Sequence, residues 1–267
     1  MSVGVLLMRG QKRLSGIRHP RRAMDTTRPV EQHSVGRSLA LHLGPGVLIG
    51  ACYFALSPIL RSWGYPSIAA LMCTVAIVLV PVELGYLLFE GRKRNGRYSL
   101  EGVVAYRERI PALQYFLWVP VLFVLVGIIF TLMKPVDALL HETVFSWVPV
   151  LESGLTAGYS RGALILTYAL VAVFGVVVGP IVEEFYFRGF LLPRMGYAGK
   201  WAPVLHSLLF AVYHFWTPWQ FVTRTLGMLP MVYAAQRRNL YVVVIVHVLV
   251  NTLDVVTAVA FIAAMAR

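Results

Sequence analysis

Apolar residues gather along the chain into seven blocks: 38–60, 66–89, 113–133, 161–192, 201–215, 218–235 and 240–264. A bilayer core of about 30 Å takes about 20 helical residues, so the blocks read as membrane-crossing helices. Block 201–215 is short for a crossing and must be sheltered by its neighbours. Gly44, Pro45 and Gly46 interrupt the first block and predict a bend. The connection from Lys134 to Ser160 carries Asp137, Glu142 and Glu152 beside Val144, Phe145 and Trp147. It predicts an interfacial helix or a half-span. The expected fold is therefore all-α, a polytopic transmembrane helix bundle of about seven to eight spans.

Composition agrees with this pattern. Only 13% of the residues are charged against 58% hydrophobic, where soluble domains carry roughly 25% charged residues. The net charge of +12 would suggest nucleic acid in a soluble protein. Here the cations sit at the ends of apolar blocks: between Arg9 and Arg37, between Arg92 and Arg109, and at Arg237 and Arg238. That is the distribution of loops facing anionic lipid on the cytoplasmic side, so no nucleic-acid partner is expected. Seven crossings with the N-terminus inside place all three basic groups on that side and the 134–160 connection outside. Cys52 and Cys73 lie within apolar blocks and read as small hydrophobes rather than a disulfide or metal pair. Three regions result: a basic, disordered cytoplasmic arm at 1–36, N-terminal transmembrane helices with the extracytoplasmic loop at 37–160, and a helix core at 161–267.

Polar residues inside the later apolar blocks carry the chemical interest. A charge at the bilayer centre costs at least about 2.5–3.5 kcal/mol, yet Glu183, Glu184 and Arg188 share one block. His206 and His214, then Arg224, then His247, Asn251 and Asp254 follow. Glu184 and Arg188 are four apart, with the glutamate N-terminal, the favourable order for an ion pair. Glu183 lies about 100° away around the helix and is left free for chemistry. His247 and Asn251 share a face at the same spacing, as do Phe210 and His214. At about 1.5 Å per residue, the three groups reach compatible depths and could meet.

Glu183-Glu184-Phe-Tyr-Phe-Arg188 fits EExxxR, Phe210 to His214 fits FxxxH, and His247 to Asn251 fits HxxxN. In this order on successive membrane helices, they resemble the CPBP family of intramembrane proteases. That family includes the type II CAAX prenyl endopeptidases and the Abi-type proteins. The resemblance covers roughly residues 164–256, and the N-terminal half shows nothing specific to the family. It implies that Glu183 activates a water with help from His214, while His247 and Asn251 donate to the developing oxyanion. It also implies that Glu184 and Arg188 hold the helix, with Phe210 packed beside the histidine.

The resemblance implies no cofactor. The alternative is zinc held by Glu183, His214 and His247, a His₂Glu set with an open position; no HExxH helix is present. Expected partners are membrane lipids and a membrane-bound peptide or protein substrate, and the expected location is a bacterial or archaeal cytoplasmic membrane. Two other functions compete: a non-catalytic membrane scaffold or immunity protein, and a small transporter or proton relay. The three-motif set favours catalysis, because a scaffold needs only the Glu184–Arg188 pair. Among lesser features, His206 reads as a hydrogen bond to a neighbouring helix. Arg224 reads as a contact to substrate or lipid headgroups, or as a partner of Asp254 or a glutamate. Asp254 is expected to back Asn251, Trp216 and Trp219 to anchor a turn at the membrane interface, and Gly175 and Gly179 to permit close packing.

Overall fold

The computed structural model describes residues 30–106, 109–156 and 158–265. The described residues form helices joined by turns and loops, with no strand among them. In chain order the helices are α1 (Val35–Ser62), α2 (Ser67–Asn95), α3 (Ala112–Leu132), α4 (Lys134–Thr143), α5 (Arg161–Arg194), α6 (Ala202–Tyr213), α7 (Phe221–Arg237) and α8 (Leu240–Ala264). Their starts follow from local chemistry. Ser34, Ser160 and Asn239 accept hydrogen bonds from the freed amides of Arg37, Ala163 and Tyr241, the usual satisfaction of a helix N-terminus. Pro66 and Pro111, which lack an N–H, stand before α2 and α3.

Five helices, α1, α2, α3, α5 and α8, are long and apolar enough to cross a membrane. The other two expected crossings are shorter. At about 1.5 Å per residue, the 12 residues of α6 give roughly 18 Å and the 17 of α7 roughly 25 Å. Helix α6 lies between α1 and α7 and buries His206, Ser207, Leu209, Phe210 and Tyr213. The short block is thus sheltered, as its length requires. The ten residues of α4 span only about 15 Å and lie against α7 and the turn before it.

Helix α1 continues through Gly44, Pro45 and Gly46; Pro45 has no N–H to give, and the Leu41 carbonyl it leaves free accepts from the Tyr186 hydroxyl at 2.8 Å. Gly46 serves close approach, since a Cβ there would stand 2.2 Å from the Tyr213 carbonyl oxygen. Gly175 permits close packing as the sequence suggests, whereas Gly179 is crowded by its own helix. A Cβ on Gly175 would meet the Met72 sulfur at 2.9 Å, and one on Gly179 the Phe174 carbonyl oxygen at 2.6 Å. Helix α2 widens to π-type hydrogen bonding over Val75–Leu84, around Pro81. Helix α5 does so twice, over Val171–Val178 and Glu184–Leu191. Such wide turns cluster at functional positions, and here they adjoin the polar residues of the core.

Most of the basic arm, 1–29, falls outside the described residues. Its last residues dock on the end of α5: the His33 amide donates to the Arg194 carbonyl at 3.0 Å, and the Gly196 amide to Gln32 Oε1 at 2.8 Å. Cys52 and Cys73 are free thiols.

Candidate active site

The site is built where α5, α6 and α8 meet, with α2 behind them. Arg188 and Glu184 are fully enclosed, and Arg188 Nη1 stands 3.3 Å from Glu184 Oε1. The same carboxylate oxygen is 2.8 Å from Nδ1 of His247 on α8. A carboxylate only accepts, so Nδ1–H donates. Glu184 therefore joins an arginine of its own helix to a histidine of another. The guanidinium of Arg188 also lies 3.8 Å from the centre of the Phe210 ring, a cation–π contact strengthened by burial.

Glu183 points elsewhere, as the 100° offset requires. No hydrogen bond to another described residue holds its carboxylate, and its Oε2 faces His247 Nε2 at 3.9 Å. A tenth of the Glu183 side chain is exposed, and 12% of His247, whereas Glu184 has no exposure at all. Of the two adjacent glutamates, only Glu183 is open to a small molecule.

His214 ends α6. Its Nδ1 is 2.8 Å from the Phe210 carbonyl oxygen, which can only accept. Nδ1–H is thus spent on the helix, and Nε2 has no hydrogen bond to another described residue. The ring meets Phe210 edge-on at 4.9 Å. No hydrogen bond among the described residues joins His214 to Glu183. Asn251 lies one turn beyond His247 on α8 and donates from Nδ2 to the Gly175 carbonyl at 2.8 Å. That carbonyl belongs to the first π-type stretch of α5. His247 and Asn251 therefore grip α5 at two levels, at Glu184 and at Gly175. Asn251 keeps a second Nδ2–H.

Several surrounding residues depart from the sequence reading. Trp216 and Trp219, expected to reach out as interfacial anchors, are instead buried against the protein. Helix α4 folds over their turn, so that His141 meets the Trp219 ring edge-on at 4.6 Å, while Trp216 packs 5.0 Å from the His214 ring. A connection that folds back on the bundle shelters indoles that a free turn would expose. Arg224 is not paired with Asp254; it donates to the Thr217 hydroxyl at 2.8 Å and to its carbonyl at 3.2 Å, within electrostatic reach of Glu183. Asp254 does not reach Asn251 through any hydrogen bond among the described residues and is itself exposed. His206 does bond a neighbouring helix, its Nδ1 lying 3.0 Å from His42 Nε2 on α1.

One carboxylate escaped the sequence reading. Glu83, in the π-type stretch of α2, is wholly buried and accepts from the Tyr213 hydroxyl at 2.7 Å. It lies within electrostatic reach of Glu183 and Arg188. Its signal was present as a lone glutamate in an apolar block, but no partner three or four residues away marked it.

A metal ion needs its ligands converging on one point. Among the described residues no three His, Cys, Asp or Glu side chains are grouped in that way. His247 and His214 each hold Nδ1 on a protein oxygen, which leaves Nε2 as the nitrogen a metal would take, but Glu183, His214 and His247 are not grouped about one point in this arrangement.

Residues 165–253 match the family model described as Type II CAAX prenyl endopeptidase Rce1-like. The matched segment contains Glu183, Glu184, Arg188, Phe210, His214, His247 and Asn251. No match was found among curated proteins or among solved structures.

Proposed function

We propose that this chain, which carries a CAAX-type intramembrane protease domain, is an endopeptidase acting on membrane-associated peptides or proteins through a water activated by Glu183. The observation that carries this reading is the different fate of two neighbouring glutamates. Glu184 is sealed, ion-paired to Arg188 and hydrogen-bonded to His247, while Glu183 has no hydrogen bond to another described residue and is open beside His247. A general base must reach the proton it removes, and Glu183 is the carboxylate able to do so.

In this mechanism Glu183 takes a proton from water, and the resulting oxygen attacks the peptide carbonyl. His214 offers Nε2 to the same water, its other nitrogen being held by Phe210. As the carbonyl oxygen gains charge, His247 and the second N–H of Asn251 donate to it, the type of interaction that often dominates acyl-transfer catalysis. With Nδ1–H given to Glu184, a proton on His247 Nε2 makes the ring an imidazolium. Glu184 is placed to balance that charge, and Arg188 in turn to hold Glu184. The proton taken by Glu183 then passes to the leaving amine, which closes the proton balance.

The basic loops favour a cytoplasmic N-terminus. A prenylated Cys-aliphatic-aliphatic-X substrate is the one suggested by the family description. Cells carrying Glu183→Ala or His214→Ala are expected to accumulate uncleaved membrane-bound precursors relative to wild type. Comparative peptide profiling of their membranes tests this. Two folded variants with profiles identical to wild type contradict it and favour the scaffold function.

A further inference from the structure

Glu83 belongs to none of the three motifs, and nothing in the mechanism above uses it. It sits in an otherwise apolar block, where a carboxylate carries a heavy desolvation cost. One oxygen accepts from the Tyr213 hydroxyl at 2.7 Å; the other is buried with no partner among the described residues. The Tyr213 hydroxyl is thus the hydrogen-bond partner of this side chain among the described residues, and where that tie lies in the fold is what points to a role.

Tyr213 directly precedes His214 at the end of α6. It is fully buried, and its ring meets that of His214 edge-on at 5.0 Å and that of Phe187 at 4.9 Å. Its carbonyl is pressed against Gly46 of α1. The end of α6 is therefore clamped on its backbone side by α1 and at its phenol by Glu83 of α2. The π-type stretch that carries Glu83 also packs against the segment of α5 that carries Glu183. One helix thus touches both the platform of the base and the anchor of its histidine partner.

We infer that Glu83 is a positioning residue of this site: through the Tyr213 hydroxyl it fixes the end of α6 and so sets the His214 ring relative to Glu183. The inference rests on the reading of Glu183 and His214 given above. Glu83 touches no reacting atom; it acts through Tyr213.

The test uses the full chain purified in lipid nanodiscs and a fluorogenic reporter peptide ending in a farnesylated Cys-aliphatic-aliphatic-X sequence. Glu83→Leu removes the acceptor, Tyr213→Phe removes the donor, and Glu83→Gln keeps an acceptor of nearly the same shape. Each single loss is expected to lower kcat by about 10- to 100-fold, the range for a misplaced catalytic group, with KM changed by less than about threefold. The double variant Glu83→Leu/Tyr213→Phe is expected to be no worse than its worse parent, as for residues acting through one link. Glu83→Gln is expected to recover most of the lost kcat.

Unchanged kcat per folded molecule, with only thermal stability reduced, overturns the inference, as do losses that multiply in the double variant. Glu83→Gln as impaired as Glu83→Leu overturns it too. Glu183→Gln in the same assay separates the two layers: if it cleaves at the wild-type rate, the underlying reading fails. If it is inactive while the Glu83 and Tyr213 variants match wild type, only the inference fails. Where wild type leaves this reporter intact, the side-chain ¹⁵N resonances of His214 decide. They are expected to shift in Glu83→Leu and not in Glu83→Gln, and an unshifted pair overturns the inference.

Discussion

Glu183 and Glu184 are neighbours in the chain, yet a rotation of about 100° gives them opposite surroundings. The i,i+4 spacing made the Glu184–Arg188 pair legible from the sequence, and the 3.3 Å contact realises it. The second bond of Glu184, to His247, was not legible, because no spacing rule links residues on different helices. Glu184→Ala is accordingly expected to unpair a buried guanidinium and release His247. The cost of breaking a buried pair is about 3–5 kcal/mol, which quantitative immunoblotting should register as a strong fall in membrane protein level. Normal abundance with activity lost would instead place Glu184 in the chemistry. Asn251→Ala removes one hydrogen bond to Gly175, worth about 1 kcal/mol, and a donor to the oxyanion, worth about 10²–10³ in kcat. Folded protein with a melting point lowered by about a few degrees and a greatly reduced cleavage rate is the expected outcome.

At the scale of elements, the blocks of apolar residues located all the long helices, since continuous hydrophobicity and about 20-residue length are local properties. What they could not show is where the short pieces go. Helix α4 covers the turn that carries Trp216 and Trp219, with Asp137 accepting from the Thr223 hydroxyl, and this folding back depends on contacts far apart in sequence. Glu83 escaped notice for the same reason, its partner Tyr213 lying on another helix. The crossing of α1 and α6 likewise depends on Gly46. Gly46→Ala places a methyl group against the Tyr213 backbone, and overpacking of this kind costs about 1–3 kcal/mol. Reduced thermal stability together with reduced cleavage, from displacement of the adjacent His214, is expected.

The docked segment before α1 offers a pH test. His33 packs against Phe190, and burial holds its imidazole down to about 4, below the ordinary 6.5. Above pH 6.5 the ring is neutral whether docked or free. As pH falls from 6.5 toward 4, the free segment takes up a proton first, so docking weakens across that window. Protease sensitivity near residue 33 should rise accordingly, and a flat profile would contradict the burial of this ring.

For the whole molecule, the apolar blocks and the few charges made a polytopic helix bundle legible, while the three motifs marked the part of it that holds the chemistry. The basic groups around Arg92–Arg97 and Arg237–Arg238 predict one common side, opposite Glu142. Single-cysteine labelling from either face of sealed vesicles checks this, and labelling of a cysteine at Glu142 from the same face as cysteines at Arg94 and Arg237 would contradict it. The arrangement of Glu183, His214 and His247 predicts that exhaustive chelation leaves cleavage intact, with elemental analysis of the same sample showing no stoichiometric metal.

The central claim is that Glu183 activates water for peptide-bond cleavage inside the bundle. Its most direct test is the cleavage rate of the farnesylated reporter by wild type and Glu183→Gln, each reconstituted in lipid at equal folded concentration. Glu183→Gln preserves shape and removes the base, so a rate at or near background is predicted, with wild type clearly above it. Cleavage by Glu183→Gln at the wild-type rate would contradict the account.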